Sequence, residues 1–206
     1  KKPRRIFVNS MSDLFHKDVP DEFIDKVFAV MALCPRHTFQ ILTKRPERML
    51  AYMTVRAKSA SYWETAARSI GYTMKFVGVD GKEHGLCPFP IPGVWLGVST
   101  EDQDTFDERV ALLGKTPAAV RFVSAEPLLG CINATRALHD NQIAWVIIGG
   151  ESGSGYRPME MWHARHLIRQ CRAIGVPAFI KQDNGPRPGM QGRFTAEEWA
   201  LKEYPE

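Results

Sequence analysis

The chain has 206 residues, of which 44% are hydrophobic and 24% are charged. This composition is typical of a globular protein with a buried core, and it excludes a low-complexity chain. The net charge of +4 is only mildly basic, so it favours a nucleic-acid partner weakly and leaves a small-molecule or nucleotide substrate open.

The sequence predicts neither a membrane segment nor an export signal. It contains no run of eighteen apolar residues, and its basic start leads into a short apolar run without a cleavage site. Its cysteines form no C-x-x-C pair, so they predict no local zinc or iron–sulfur site. They are Cys34, Cys87, Cys131 and Cys171. Because such isolated thiols fit a reducing compartment, we expect a cytoplasmic protein.

Six apolar runs alternate with helical patterns along the chain. They are residues 6–8, 37–43, 94–98, 120–124, 143–148 and 176–180. Strands that are apolar on both faces and separated by helices indicate a parallel sheet covered on both sides. Six such units in succession predict an α/β fold of the parallel (β/α) barrel type, whole or partial, in one domain over residues 1–206. An open, doubly wound sheet is the structural alternative.

Local patterns predict how some helices start, end and pack. Thr100 with Gln103 predicts a capping box for the helix after the third strand. The helix after the fifth strand is expected to bury Trp162 and to stop at Gly175. His163 lies on the same helix, and we expect it at the surface rather than in a metal site.

Residues 59–92 interrupt the alternation. Tyr62, Trp63 and Ile70 predict a small helix, and residues 74–79 followed by Asp80-Gly81 predict a strand and a turn. We interpret this segment as an insertion between barrel units.

Polar side chains follow every predicted strand. The carboxyl ends of the strands of a parallel barrel meet at one mouth, where reactive groups lie, so these side chains predict one polar site. The candidate catalytic residues are Glu126, Lys44 and Lys181. The candidate ligand-binding residues are Ser12, Asp13, Ser99, Ser124, Gly149, Gly150 and Glu151. We expect Glu126, Glu151 and Lys44 to project into one cleft.

Each candidate also has a structural interpretation. Ser, Thr and Asp at strand ends are ordinary helix caps, although a Glu held before Pro127 is a poor one. Gly149 and Gly150 let a ligand approach the main chain, or they form a tight turn. A strand-end lysine such as Lys181 can form a Schiff base, but an ion pair with Glu126 or Glu151 is commoner.

Five segments carry a resemblance to a known family. They are IFVNSMSDLFH (6–16), LTKRPERM (42–49), VWLGVS (94–99), RFVSAEPLL (121–129) and GGESG (149–153). In this order they closely resemble the phage gene-product-37/gene-product-68 family, a domain of unknown function found in phages, prophages and bacteria. The resemblance covers nearly the whole chain except residues 59–92.

Members of that family look like radical-SAM barrels with a cysteine-rich N-terminal part. The resemblance therefore implies a TIM or radical-SAM type of barrel whose first strand and cluster cysteines precede Lys1. It implies S-adenosylmethionine and a [4Fe–4S] cluster as cofactors of the intact protein. A ligand role is implied for Ser12, Asp13, Glu126, Gly149 and Gly150. Relatives are expected to carry Trp-Gly after Lys181-Gln182, where this chain has Asp183-Asn184-Gly185.

Three hypotheses of function follow. The first is a phage- or prophage-associated radical-SAM-like enzyme of the host cytoplasm, inactive as this chain alone, that modifies a small molecule, nucleotide or nucleic acid. The second is a non-catalytic phage accessory protein that binds a partner on a barrel scaffold. The third is a lyase or aldolase that uses Lys181. An opened barrel would expose strand edges, so self-association is also expected.

Overall fold

The computed structural model of the chain describes residues 2–59, 61–74, 76–77, 83–84 and 88–205. The strands are β1 (Arg5–Val8), β2 (Thr38–Thr43), β3 (Phe76–Val77), β4 (Glu83–His84), β5 (Val94–Thr100), β6 (Val120–Ala125), β7 (Ile143–Gly149) and β8 (Ala178–Gln182). The helices are α1 (Asp21–Ala32), α2 (Pro46–Arg56), α3 (Ser61–Ser69), α4 (Gln103–Lys115), α5 (Thr135–Asp140), α6 (Met161–Ile174) and α7 (Ala196–Trp199). No helix in these described ranges is both long and apolar enough to cross a membrane.

Six parallel strands that alternate with helices form one sheet, in the order β1-β2-β5-β6-β7-β8. All six strands predicted from the sequence are therefore confirmed, and so is the α/β fold. β1 and β8 stand at the two ends of the strand order. The finer assignment to a TIM or radical-SAM barrel stays a prediction.

The chain divides into two compact units. The first unit comprises Lys1–Leu96 with Thr116–Val120, and the second comprises Gly97–Lys115 with Arg121–Glu206. In the first unit α3 packs on α1, where the rings of Trp63 and Phe28 stack with centroids 5.2 Å apart. The small helix predicted in residues 59–92 is thus confirmed. β3 pairs with β4 in antiparallel fashion, while the predicted Asp80-Gly81 turn lies outside the described residues.

In the second unit the strands have two different faces, because successive side chains of a strand point in opposite directions. α5 and α6 pack on one face and bury Leu138, Leu167 and Cys171. The other face is here called the inner face. It carries Ser99, Phe122, Ser124, Trp145, Ile147, Gly149, Phe179 and Lys181, and it continues to Glu126, which directly follows β6.

Two predicted details of the helices are wrong. The cap of α4 is Asp102 rather than Thr100: an Asp102 carboxylate oxygen accepts a hydrogen bond from the Thr105 N–H at 3.0 Å. Thr100 is the last residue of β5, two positions before this cap, and its hydroxyl is buried without a hydrogen-bond partner among the described residues. At the start of α6 the faces are reversed from the prediction, because Trp162 is 55% exposed whereas His163 is buried. Gly175 ends α6 at a φ of 72°, as predicted.

Candidate functional site

Glu126 and Lys181 form an ion pair at the carboxyl end of the inner face. Lys181 Nζ donates to Glu126 Oε2 at 2.9 Å. The Lys181 side chain is 52% exposed, whereas that of Glu126 is 16% exposed. Two of the three candidate catalytic residues are therefore in direct contact, with one charge facing solvent and the other sheltered.

The pair spans β7, which lies between β6 and β8 in the sheet. Strands are about 4.8 Å apart, so Glu126 and Lys181 must reach across roughly 10 Å. Gly149 occupies β7 where this connection passes: a Cβ placed on it would lie 3.4 Å from Cδ and Cγ of Glu126. A Cβ would thus make ordinary contact with Glu126, so a small residue at position 149 leaves the Glu126 side chain free to reach its partner.

Ser99 fixes the main chain that carries Glu126. Its hydroxyl donates to the carbonyl oxygen of Glu126 at 3.0 Å, and Ser99 itself is buried. Ser124 lies two residues before Glu126 on the same face and is also buried. The Ser99 hydroxyl therefore holds the backbone of Glu126, from which the carboxylate side chain extends.

Gly150 has a structural explanation. A Cβ on Gly150 would lie 2.3 Å from the backbone nitrogen of Asn184, so a side chain cannot be accommodated there. Its N–H donates to the carbonyl of Gln182 at 3.0 Å, and its carbonyl accepts from Gln182 Nε2 at 2.9 Å. Both main-chain groups of Gly150 are thus satisfied within the protein, where a ligand contact was the prediction.

Asp183 joins the end of β8 to a following loop. Its carboxylate accepts from Arg193 Nε at 2.9 Å and Nη2 at 2.7 Å, and from two backbone N–H groups, those of Asn184 and Arg193, at 2.7 Å each. Burial alone would raise the pKa of Asp183, but these hydrogen bonds outweigh it and hold the pKa below its usual value. The Asp183-Asn184-Gly185 sequence, which departs from the resembled family, thus forms a loop that is held in place by the hydrogen bonds of the Asp183 carboxylate.

Glu151 is bound by Arg157. Its carboxylate accepts from the Arg157 N–H, Nε and Nη2 at distances of 2.7 to 2.9 Å. The ligand role predicted for Glu151 is therefore accompanied by a structural contact that holds the loop after β7.

The candidates of the first unit form a separate group. The Asp13 carboxylate accepts hydrogen bonds from the Thr43 hydroxyl, from Arg45 Nη1 at 2.9 Å and from the backbone N–H groups of Phe15 and Lys44. Asp13 therefore ties the loop after β1 to the end of β2.

Ser12 is exposed on that same loop, and Lys44 directly follows β2. Glu126 and Glu151 belong to the second unit and Lys44 to the first. The shared cleft of these three residues therefore stays a prediction.

The model of a family described as "Protein of unknown function (DUF5131)" matches residues 1–198. The chain belongs to this family. No curated protein and no solved structure matches it. Because the DUF5131 description states no activity, the resemblance to the phage family and its radical-SAM link stay predictions.

The described cysteines of this DUF5131 chain do not fit a [4Fe–4S] cluster. Within the residues that the structure describes, no three His, Cys, Asp or Glu side chains are grouped to hold a metal ion. Burial raises the pKa of Cys171 to about 12, so its thiol remains protonated on the helix-covered side of the sheet. Cys34 belongs to the first unit and Cys131 to the second, and Cys87 lies outside the described residues.

Sequence reasoning missed two residues that shape the site. Gln182 binds both main-chain groups of Gly150 through its own carbonyl and its side-chain amide. Its side-chain oxygen also accepts from the Gly189 N–H at 2.9 Å. Arg193 binds Asp183, although it is ten residues away and follows no strand. β7 and β8 shift register between Ile148 and Gly149, so that Gly149 pairs with Gln182. Strand alternation alone does not reveal this shift.

Proposed function

We propose that the Glu126–Lys181 end of the inner face is a binding site for a small zwitterion, with S-adenosylmethionine as the candidate ligand. The observation that carries the proposal is the half-exposed ion pair. An ammonium has three N–H donors and a carboxylate has two oxygens. Among the described residues only one donor and one of these oxygens are engaged with each other.

The chemistry of an α-amino acid complements this pair. Its ammonium can donate to the Glu126 carboxylate, and its carboxylate can accept from the Lys181 ammonium. Charge-assisted hydrogen bonds of this kind are about twice as strong as neutral ones. S-adenosylmethionine carries such a group, so the residues present fit that part of the molecule.

The weak structural value of the pair supports a binding role. An ion pair with an exposed partner stabilises a folded protein by only about 0 to 1 kcal/mol. The two charges therefore contribute little to the stability of the fold. A Schiff-base role receives less support, since a reactive lysine lies in a desolvated pocket whereas Lys181 is 52% exposed.

As the wider function we keep the first hypothesis, a phage- or prophage-associated radical-SAM-like enzyme. In that chemistry the cluster would supply an electron to the bound S-adenosylmethionine. The described cysteines do not fit such a cluster. Within this chain Glu126 and Lys181 would orient the amino-acid end of the ligand, and Ser99 would hold Glu126 in place.

Calorimetric titration with S-adenosylmethionine tests the proposal. We expect saturable binding to the wild-type chain and about tenfold weaker binding to Glu126→Gln, equivalent to about 1.4 kcal/mol. The matched control is Glu198→Gln, since the Arg165–Glu198 pair has similar exposures of 42% and 20% in the same unit. Absence of wild-type binding, or equal affinity in all three proteins, would contradict the proposal.

A further inference from the structure

A cavity of about 800 Å³ lies at the amino ends of β7 and β8, within the second unit. Its walls include Ile143, Val176 and Pro177 from the strand starts and Tyr204 and Pro205 from the C-terminal tail. Ligand cavities are commonly 300 to 1,000 Å³ with mainly apolar walls. This one is thus of ligand size, and it is at the opposite strand ends from Glu126 and Lys181.

The tail that closes the cavity is attached to the edge of β8. Ile180 N–H donates to the Leu201 carbonyl at 2.9 Å, and Glu203 N–H donates to the Ala178 carbonyl at 3.2 Å. The Glu203 carboxylate also accepts from the Ala178 N–H at 2.8 Å. These bonds hold one wall of the cavity at a defined place.

Aromatic contacts fix the Tyr204 ring. Its centroid lies 5.2 Å from that of Trp145 and 5.4 Å from that of Phe179. The indole N–H of Trp145 donates to the Glu203 carbonyl at 2.8 Å. The ring is therefore held against Trp145 and Phe179 of the inner face, and Tyr204 also lines the cavity.

Arg172 supplies a charge at this cavity. It lies in the last turn of α6 and lines the wall. Its exposed side chain has neither a hydrogen bond nor an ion pair among the described residues, in contrast to those of Arg157, Arg165 and Arg193 of the same unit. Glu203, the other charged wall residue, has its Oε2 engaged with the main chain.

We infer that this cavity binds a small aromatic anion, whose ring packs on Tyr204 and whose charged group pairs with Arg172. A guanidinium binds carboxylate, sulfonate or phosphate oxygens with two parallel hydrogen bonds. Tyr204, Pro205 and Glu203 follow residue 198, where the family match ends. The site is therefore built in part by residues beyond the family match, and it is independent of the proposed zwitterion site.

The probe that tests this is 8-anilinonaphthalene-1-sulfonate, titrated by fluorescence against the folded chain, with 1-anilinonaphthalene as its uncharged counterpart. We expect saturable 1:1 binding of the sulfonate and at least tenfold weaker binding to Arg172→Gln. The uncharged probe should bind both proteins equally. Arg136→Gln is the matched control, because Arg136 is 94% exposed in the same unit and does not line the cavity.

A second variant and a second measurement locate the probe. Tyr204→Leu should weaken binding at least fivefold, whereas Tyr204→Phe should bind as the wild type does. Hydrogen exchange should slow at the Glu203 amide when the sulfonate is bound, because the ligand holds the tail on β8. Unsaturable fluorescence, or equal affinity of wild type and Arg172→Gln, would overturn the inference. S-adenosylmethionine affinity should be unchanged in Arg172→Gln, so failure of one site leaves the other intact.

Discussion

The strand ends of the two units look alike in sequence but differ in their hydrogen bonds. At the end of β1 and β2, Asp13 accepts from two side chains and two backbone N–H groups. At the end of β6 and β8, Glu126 and Lys181 engage chiefly each other, and half of the lysine side chain faces solvent. Polar residues at strand ends therefore differ in the number of their internal hydrogen-bond partners, and the end with few such partners is the one proposed as a binding site.

The largest expected effect distinguishes the two glycines after β7. Gly150→Ala should destabilise the protein by about 3 kcal/mol or more, because the new Cβ would meet the Asn184 backbone, which cannot move without breaking its loop. Gly149→Ala should cost about 1 kcal/mol or less, since its Cβ would make only close contact with Glu126. Urea denaturation of both variants measures the difference, and equal destabilisation would refute this account of the glycines.

The next effect contrasts Asp13 with Glu126. Asp13→Ala should lower the free energy of unfolding by about 2 to 4 kcal/mol, because four donors lose a charged acceptor. Glu126→Gln should change it by no more than about 0.5 kcal/mol, as expected for a pair with an exposed partner. Thermal melts of both variants check the order of these effects. A larger loss of stability in Glu126→Gln than in Asp13→Ala would show instead that the Glu126–Lys181 pair stabilises the fold.

A smaller effect should appear with acid. Because the folded-state pKa of Asp183 is held below its unfolded value of about 3.9, its charge contributes stability that is present above that pH. That stability should be lost as the pH falls through the lower folded-state pKa. In Asp183→Asn the slope of stability against pH below about 4 should be shallower than in the wild type. Identical slopes in urea melts from pH 5 to pH 2.5 would contradict the assignment.

Periodicity and capping rules predicted the six strands of the parallel sheet and the end of α6 at Gly175, since these follow from local sequence. They erred at Thr100 because several polar residues precede α4, and only the backbone position of Asp102 selects the cap. They erred at Trp162 and His163 because a rotation of one residue at the first turn exchanges buried and exposed faces. Both errors concern choices between residues one or two positions apart.

The candidate site was predictable only in part. The positions of Glu126, Lys181 and Gly149 at strand ends were visible in the sequence, but their contact depends on β7 lying between β6 and β8. Gly149 and Gly150 both appear in the sequence as glycines at a strand end. Only the structure shows that position 150 requires glycine because its backbone packs against Asn184. Arg193 could not be identified, because a ten-residue loop brings it to Asp183.

Charge reversal of the Glu126–Lys181 pair tests the central claim most directly. The variant Glu126→Lys with Lys181→Glu restores an ion pair but exchanges its two charges in space. We expect its melting temperature to match the wild type, while calorimetry shows S-adenosylmethionine binding at least tenfold weaker, as the ligand's ammonium and carboxylate now meet like charges. Recovery of wild-type affinity together with stability would show that the pair is structural, and would contradict the binding site proposed here.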